Sequence, residues 1–333
     1  MKQNGPNPRI GIFYEHPEWF KPLFAELDRR GITYDQLDAA EHSFDPTKRI
    51  SPYALVVNRM SPSAYTRGHP NAIFYALQYL AHLQAIGANV VNGYDAFRLE
   101  TSKARQLDLF EKLGLRYPRA RVINHPSQAV NAARDLHFPI VVKPNIGGSG
   151  AKITRFDSLE ELAATQDLDL GIDYTALVQE YLPPRDGHIV RVEILNDEYL
   201  YAIKVYPKPN EGFNLCPADI CQPGYIQPQP DSLSLDACPV DAAPKLGLKV
   251  QAAHPSRAII ENVKRILREG HIDVGGVEYL VNDNDGEVYY YDVNALSNFV
   301  SDAVNVVGFD PFPRLANYLA ERAGIHEREL IAA

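Results

Sequence analysis

Pro139 to Ile153 reads PIVVKPNIGGSGAKI, and the reading of this stretch decides the fold. Apolar residues lead to Lys143, then Pro-Asn-Ile, then Gly147, Gly148, Ser149 and Gly150. A second extended run, Ala151 to Phe156, follows at once. Phosphate loops of the Walker and dinucleotide-binding kinds open a helix after their glycines. Here the lysine precedes the glycines and a strand follows them. That order predicts a hairpin lid whose backbone N–H groups close over phosphates. Lys143, at the end of a buried strand, places a fixed positive charge beneath it. An ordinary hairpin with a glycine-rich turn is the plainer alternative.

Upstream, Arg9–Glu15, Ile32–Leu37, Tyr53–Asn58 and a short run at Val90 and Val91 read as strands. Pro17–Gly31 and Asn71–Gly87 read as amphipathic helices closed by glycine. The succession β-α-β-β-α-β predicts an open, mostly parallel α/β sheet. Asp95–Gly114 reads as one helical stretch, with Thr101 or Ser102 placed to cap the part that holds Lys103. Tyr117–Ile123 is a further strand, and Pro126–Leu136 and Ser158–Ala164 are helices.

Downstream, Ala176–Leu182 (ALVQEYL) is a strand stopped by Pro183-Pro184. Glu180, Tyr181 and Leu182 at such a hinge suit a purine, with backbone against its edge and apolar groups against its ring. A solvent-facing Glu180 on an edge strand is the alternative. His188–Asn196 and Glu198–Tyr206 form a hairpin about Asn196-Asp197 that carries Arg191 and Lys204. Both can aim at phosphates from the sheet face, or both can be exposed. Residues 207–256 are proline-rich, lack periodicity and hold all three cysteines, Cys216, Cys221 and Cys238. They read as an insertion near the site. With His254 the cysteines offer zinc donors, but at a spacing that matches no zinc pattern.

Ser256–Gly270 is a strongly amphipathic helix. Asp273–Asn282 and Gly286–Asn294 form a hairpin, and Asp310–Ala323 a closing helix. Asp292 and Asn294 are two apart and share a sheet face, and Glu278 can sit opposite them. Three oxygen donors on one face suit a hard cation such as Mg²⁺. In a chain with 42 acidic residues, a solvated acidic face is the alternative. The apolar neighbours Val277, Leu280 and Val293 make unpaired carboxylates costly and argue against it.

Composition narrows the classes. The 333 residues are 45% hydrophobic and 23% charged, as in ordinary globular chains of two or three domains. A net charge of −9 with no Lys/Arg run argues against a nucleic-acid partner. No apolar run has the length of a membrane span, and MKQNGPNPR lacks the apolar core of a secretory signal. An odd cysteine count argues against a disulfide framework. A cytoplasmic setting is expected.

Lys103, Lys143, the Gly147–Gly150 lid, the QEYL hinge, Glu278, Asp292 and Asn294 occur in one order. This ordered set resembles the ATP-grasp superfamily, most closely the RimK-like glutamate and amino-acid ligases, from about residue 92 to 323. The resemblance implies an α/β (α+β) fold. An N-terminal open parallel α/β domain (1–98) precedes a two-lobed ATP-grasp module. Its small lobe (99–178) carries the lid, and its large lobe (179–333) carries the metal site and the 207–256 insertion.

The resemblance also implies roles. Lys103 and Lys143 contact the α- and β-phosphates of ATP, and the Gly147, Gly148, Ser149, Gly150 loop covers the β- and γ-phosphates. Glu180, Tyr181 and Leu182 bind adenine, with Asp186 for ribose. Glu278, Asp292 and Asn294 hold one or two Mg²⁺, or Mn²⁺. Arg191 and Lys204 steady the phosphoryl group and acyl phosphate. Asn298 lies near the substrate, and Arg59 grips a substrate carboxylate. Two positions depart from the family pattern: Asp292 stands where glutamate is usual, and Ile189 where an aspartate precedes the hairpin arginine. The implied activity joins a carboxylate to an amine through an acyl phosphate. The partners are small molecules, a peptide among the options, and the assembly is a homodimer or homotetramer. A regulatory nucleotide-binding module and an acid kinase are the competing readings.

Overall fold

The computed structural model describes residues 9–16, 18–148, 150–165, 167–207 and 249–325. Three sheets organise them. The first comprises β1 (Ile10–Tyr14), β2 (Tyr34–Asp38), β3 (Leu55–Arg59) and β4 (Val90–Val91), in the order β2-β1-β3-β4 and wholly parallel. Alternation along β1 explains how both faces are covered. Ile10 and Ile12 meet Leu23 and Leu27 of α1 (Lys21–Arg29), while Phe13 joins Ile73, Ala76 and Leu80 of α2 (Pro70–Ala85). A 3₁₀ turn, Pro62–Arg67, links β3 to α2.

The stretch expected as one helix over 95–114 is two, α3 (Tyr94–Glu100) and α4 (Lys103–Lys112). Ser102 breaks it: its backbone is extended and its hydroxyl accepts the Arg105 N–H at 3.3 Å, an N-cap that starts a new helix at Lys103.

The small sheet orders β5 (Ala120–Ile123), β8 (Ala176–Glu180), β6 (Ile140–Pro144) and β7 (Thr154–Phe156) antiparallel. Two short helices, α5 (Ala129–Ala133) and α6 (Leu159–Ala164), share its apolar cluster. Lys143 is thus buried on a central strand, and β6–β7 is the expected hairpin around the glycines. β8 is an interior strand, so Glu180 is not on a solvated edge.

The large sheet orders β11 (Lys249–Ala252), β10 (Glu198–Tyr206), β9 (Ile189–Leu195), β12 (Val274–Val281) and β13 (Val288–Asn294), again antiparallel. α7 (Arg257–Glu269) buries Val263, Ile266 and Leu267 against one face. β11 corrects the expectation of an irregular segment over all of 207–256: its last part pairs with β10. Cys216, Cys221 and Cys238 lie outside the described residues. After α8 (Ala303–Val307), α9 (Phe312–Arg322) returns to pack Leu315, Ala316 and Leu319 into the cluster that holds α1.

Candidate active site

The floor of the site is the β9–β12–β13 face. Register places Glu278 opposite both Asp292 and Arg191, and Gly276 opposite Asn294 and Glu193. Arg191 donates from Nε to Glu193 Oε1 at 2.6 Å and from Nη1 to Glu278 Oε1 at 3.3 Å. Burial opposes the Arg191 charge, but Glu193 and Glu278 outweigh it and raise its pKa. A Cβ on Gly276 would stand 2.7 Å from Glu193 Oε1 and 2.9 Å from Arg191 Nε, so only glycine leaves room for this ion pair. Between Glu278 and Tyr279 the register slips, leaving Tyr291 as an extra residue on β13. Its hydroxyl donates to Glu278 Oε2 at 2.9 Å. Burial, then the nearby Asp292, raises the Glu278 pKa.

Two lysines face this floor. Lys103, at the start of α4, donates to Asp292 Oδ1 at 2.5 Å. Lys143 is buried and has no such partner among the described residues; burial, then repulsion from Lys103, lowers its pKa to about 7. Asn145 joins their elements. Its Oδ1 accepts the Ala104 N–H at 3.0 Å and the Ser102 hydroxyl at 3.1 Å, and its Nδ2 donates to Asp173 at 2.8 Å. Glu100 accepts the Ala295 N–H, and burial raises its pKa to about 7.

These groups converge on one cavity of about 160 Å³. Lys103, Lys143, Gly147, Gly148, Gly150, Arg191, Glu278, Asp292, Asn294 and Asn298, all candidate site residues from the sequence, line it. Ser149 lies outside the described residues. Trp19, Ser61, Ser63 and Glu100 also line it, and no periodic or motif signal in the sequence marks them. Glu193 and Gly276 were missed as well, although the Gly-Gly in DVGGVEYL, set inside a strand, hints at close approach.

Other expected site residues are not brought to this cavity. The Glu180 carboxylate turns to His137, accepting its backbone N–H at 2.9 Å. The Tyr181 N–H donates to the Pro139 carbonyl at 2.9 Å, and its ring lies 4.8 Å from the Arg155 guanidinium. Leu182 packs against the core, and Asp186 sits on a 3₁₀ turn. Lys204 is in register with Val190, which puts it on the sheet face opposite Arg191, so the two do not act from one face. Arg59 is buried behind the cavity rather than in it. It donates to the Ser297 carbonyl, and its guanidinium lies 5.2 Å from the Phe20 ring. Its Nε and Nη1 have no partner among the described residues, and burial lowers its pKa to about 10.

The parallel α/β sheet followed by two antiparallel sheets, with two lysines, glycines and paired carboxylates between them, is similar in fold to solved ATP-grasp ligases. Residues 100–262 match the RimK-like ATP-grasp domain. A D-alanine–D-alanine ligase of Haemophilus influenzae is 26% identical over 194 residues, covering 56% of this chain and 61% of that protein. Probable alpha-L-glutamate ligase 2 of Shewanella frigidimarina is 25% identical over 139 residues, 41% of this chain and 47% of that one. The chain thus spans about half the length of the curated relatives it matches. Among solved structures, the ATP-grasp ligase PsnB complexed with a minimal precursor superposes with a TM-score of 0.62 at 16% identity, covering 95% of this chain and 99% of that one. A RimK domain ATP-grasp protein from Sphaerobacter thermophilus gives 0.62 at 14% identity, with 93% and 99% covered. No helix among the described residues is long and apolar enough to cross a membrane.

Proposed function

We propose that the protein is an ATP-dependent carboxylate–amine ligase that forms an amide or peptide bond, with an amino acid as one substrate. The observation that carries this is the single cavity holding both lysines, the glycine lid, Arg191 and the Glu278–Asp292–Asn294 set. The names of the relatives, glutamate and D-alanine ligases, support the reaction class, and the PsnB complex with a precursor peptide keeps a peptide substrate in view. The division at residues 98 and 178 and a cytoplasmic setting belong to the same proposal.

In this reading a substrate carboxylate oxygen attacks the γ-phosphorus of ATP and ADP leaves, giving an acyl phosphate. An amine then attacks the acyl carbon, and inorganic phosphate leaves with the carbon–oxygen bond. Lys103 and Lys143 hold the phosphates, the lid N–H groups cover them, and Arg191, held by Glu193 and Glu278, steadies the phosphoryl group. Most of the rate enhancement is positioning and charge neutralisation. Asn294 Nδ2 has no partner among the described residues, and burial together with the nearby Asp292 disfavours the Glu278 charge. Two carboxylates and an amide oxygen suit Mg²⁺, which completes its shell with water and phosphate oxygens. Bound there, Mg²⁺ neutralises phosphate charge. With the Glu180 carboxylate engaged by His137, we assign adenine recognition along Glu180–Leu182 to backbone and ring contacts. Arg191 acts without Lys204.

The test is phosphate release from MgATP against amino acids, singly and in pairs, with mass spectrometry of products. Release that needs a specific pair, with a product mass equal to the pair less water, supports the ligase. ATP binding without release under any pair supports the regulatory module. Acyl phosphate that accumulates without amide supports the acid kinase.

A further inference from the structure

The segment after β1 and the 3₁₀ turn after β3 bring Trp19, Ser61 and Ser63 to the catalytic cavity. Trp19 is only 7% exposed, and its Nε1 has no hydrogen-bond partner among the described residues. Its ring is held in place. His16 stacks on it with centroids 4.2 Å apart, and the Arg67 guanidinium lies 5.1 Å from its centre. Buried Glu15 in turn holds Arg67 at 2.5 Å and His69 at 2.8 Å. Burial, then Arg67, lowers the His16 pKa to about 3, so its imidazole is neutral near pH 7 and its Nδ1 accepts the Glu18 N–H at 3.1 Å. The Trp19 N–H is therefore a fixed donor on a side chain packed by a neutral ring and a compensated cation.

The two serines hold one hydroxyl hydrogen more than they use. Arg67 Nη1 donates to Ser63 Oγ at 3.1 Å. Ser61 Oγ accepts the Ser63 N–H at 3.1 Å and lies 2.8 Å from Ser63 Oγ. A guanidinium only donates, so Ser63 Oγ accepts from Arg67, and a single hydrogen bridges the two hydroxyl oxygens. Whichever serine supplies that hydrogen, the other hydroxyl has no acceptor among the described residues. Both serines are buried and line the cavity. An unpaired hydrogen there is costly unless a bound molecule accepts it. Trp19 and the serine pair thus offer two neutral donors. Two donors suit a group that only accepts, such as a carboxylate, and not an ammonium, which only donates. The unpaired acceptor of the same cavity, Asn298 Oδ1, suits an N–H instead.

We propose that the Trp19 N–H and the spare hydroxyl of the Ser61–Ser63 pair bind the carboxylate of the acid substrate. This rests on the ligase reading for the fate of that carboxylate. One of its oxygens sits on the two donors, and the other attacks the γ-phosphorus of ATP as ADP leaves. The held oxygen becomes the acyl carbonyl oxygen. It takes up negative charge when the amine adds, and gives it back as the carbon–oxygen bond to phosphate breaks and inorganic phosphate leaves. Lys103, Lys143 and Arg191 are left to the phosphates. Pro62 stands between the serines, and Leu296 and Phe299 line the same cavity, so the acid it admits has a compact apolar body.

The experiment titrates the full chain, with MgADP at saturation to fill the phosphate region, with butyrate and with its neutral isostere butyramide, by calorimetry near neutral pH. Butyrate should bind saturably and at least roughly tenfold more tightly than butyramide, the value of hydrogen bonds to a charged group. Trp19 is the only tryptophan of the chain, so its emission should follow the same curve. Trp19→Phe keeps the ring and removes the N–H. It should weaken butyrate at least roughly fivefold while butyramide and MgADP change less than about twofold. S61A/S63A removes the spare hydroxyl and should weaken butyrate to a similar degree. If the serine variant fails to fold, Trp19→Phe and the wild-type comparison decide alone. No saturable butyrate binding, butyramide binding as tightly as butyrate, or Trp19→Phe binding butyrate like the wild type overturns the proposal. Failure of the ligase reading shows separately, as an absence of phosphate release from MgATP with any acid and amine pair while butyrate still binds.

Discussion

Lys143 and Asp292 show how residue chemistry and stability oppose each other here. Lys143 is a buried ammonium whose pKa falls to about 7, chiefly by burial. In the unfolded chain it titrates near 10.5. Between those values the unfolded state binds more protons, so this group makes nucleotide-free stability rise as pH increases across that window and flatten below about 7. Lys143→Met should raise stability at pH 6.5 by roughly 1 kcal/mol or more, since an apolar chain replaces a buried charge that has no ion pair among the described residues. It should also weaken MgATP binding by roughly 10- to 100-fold, the value of one charge-assisted hydrogen bond. Urea denaturation and calorimetric titration read the two effects, and a variant that loses stability along with affinity contradicts this account. Asp292→Ala should reduce phosphate release at least roughly 100-fold, with an unchanged circular-dichroism spectrum. Near-normal turnover would remove Asp292 from the metal site. Both residues stood out in the sequence, one before the glycines and one two places from Asn294. That Asp292 pairs with Lys103 was not legible, because the two are 189 residues apart and meet only through folding.

At the scale of elements, the lid is held by what it rests on. A Cβ on Gly148 would stand 2.8 Å from Ser63 Cβ, on the 3₁₀ turn that follows β3. Gly148→Ala should displace the lid at a cost of roughly 1–3 kcal/mol, read as a fivefold or greater rise in KM for MgATP. Ser63→Gly added to it should recover part of the loss, because it removes the nearest atom. Additive damage in the double variant would show that the lid does not bear on this turn. The glycine run and its flanking strands were legible in the sequence; the neighbour that requires Gly148 was not. The hairpin of Glu278 and Asp292 was legible as well, because side chains alternate with period two. The slip that turns Tyr291 onto Glu278 was hidden, since a bulge leaves no mark in an alternating pattern.

Across the whole molecule, Asn92 fastens the first sheet to the large one. It follows β4 with φ of 52°, a conformation that asparagine tolerates. Its Nδ2 donates to the Val274 carbonyl at 2.6 Å and to the Ala295 carbonyl. Its Oδ1 accepts the N–H groups of Asp273 and Val274 at 2.8 and 3.2 Å. Asn92→Ala should cost roughly 3 kcal/mol or more, because several buried backbone groups lose their partner together. A urea midpoint within error of wild type would show that these bonds are replaced. α9 closes the molecule by packing on α1, a contact between the two ends of the described chain.

The amino-acid sequence by itself determined the strand and helix periods, the parallel first sheet, the two later hairpins and the order of the phosphate- and metal-type residues. These follow from local periodicity, from glycine and proline, and from motif order. Only the tertiary structure decided that Arg191 and Lys204 take opposite faces, that Arg59 is buried behind the cavity, and that Trp19, Ser61 and Ser63 form its far wall. Those outcomes depend on register and on packing between segments far apart in the chain, where no local pattern records which side chains will meet.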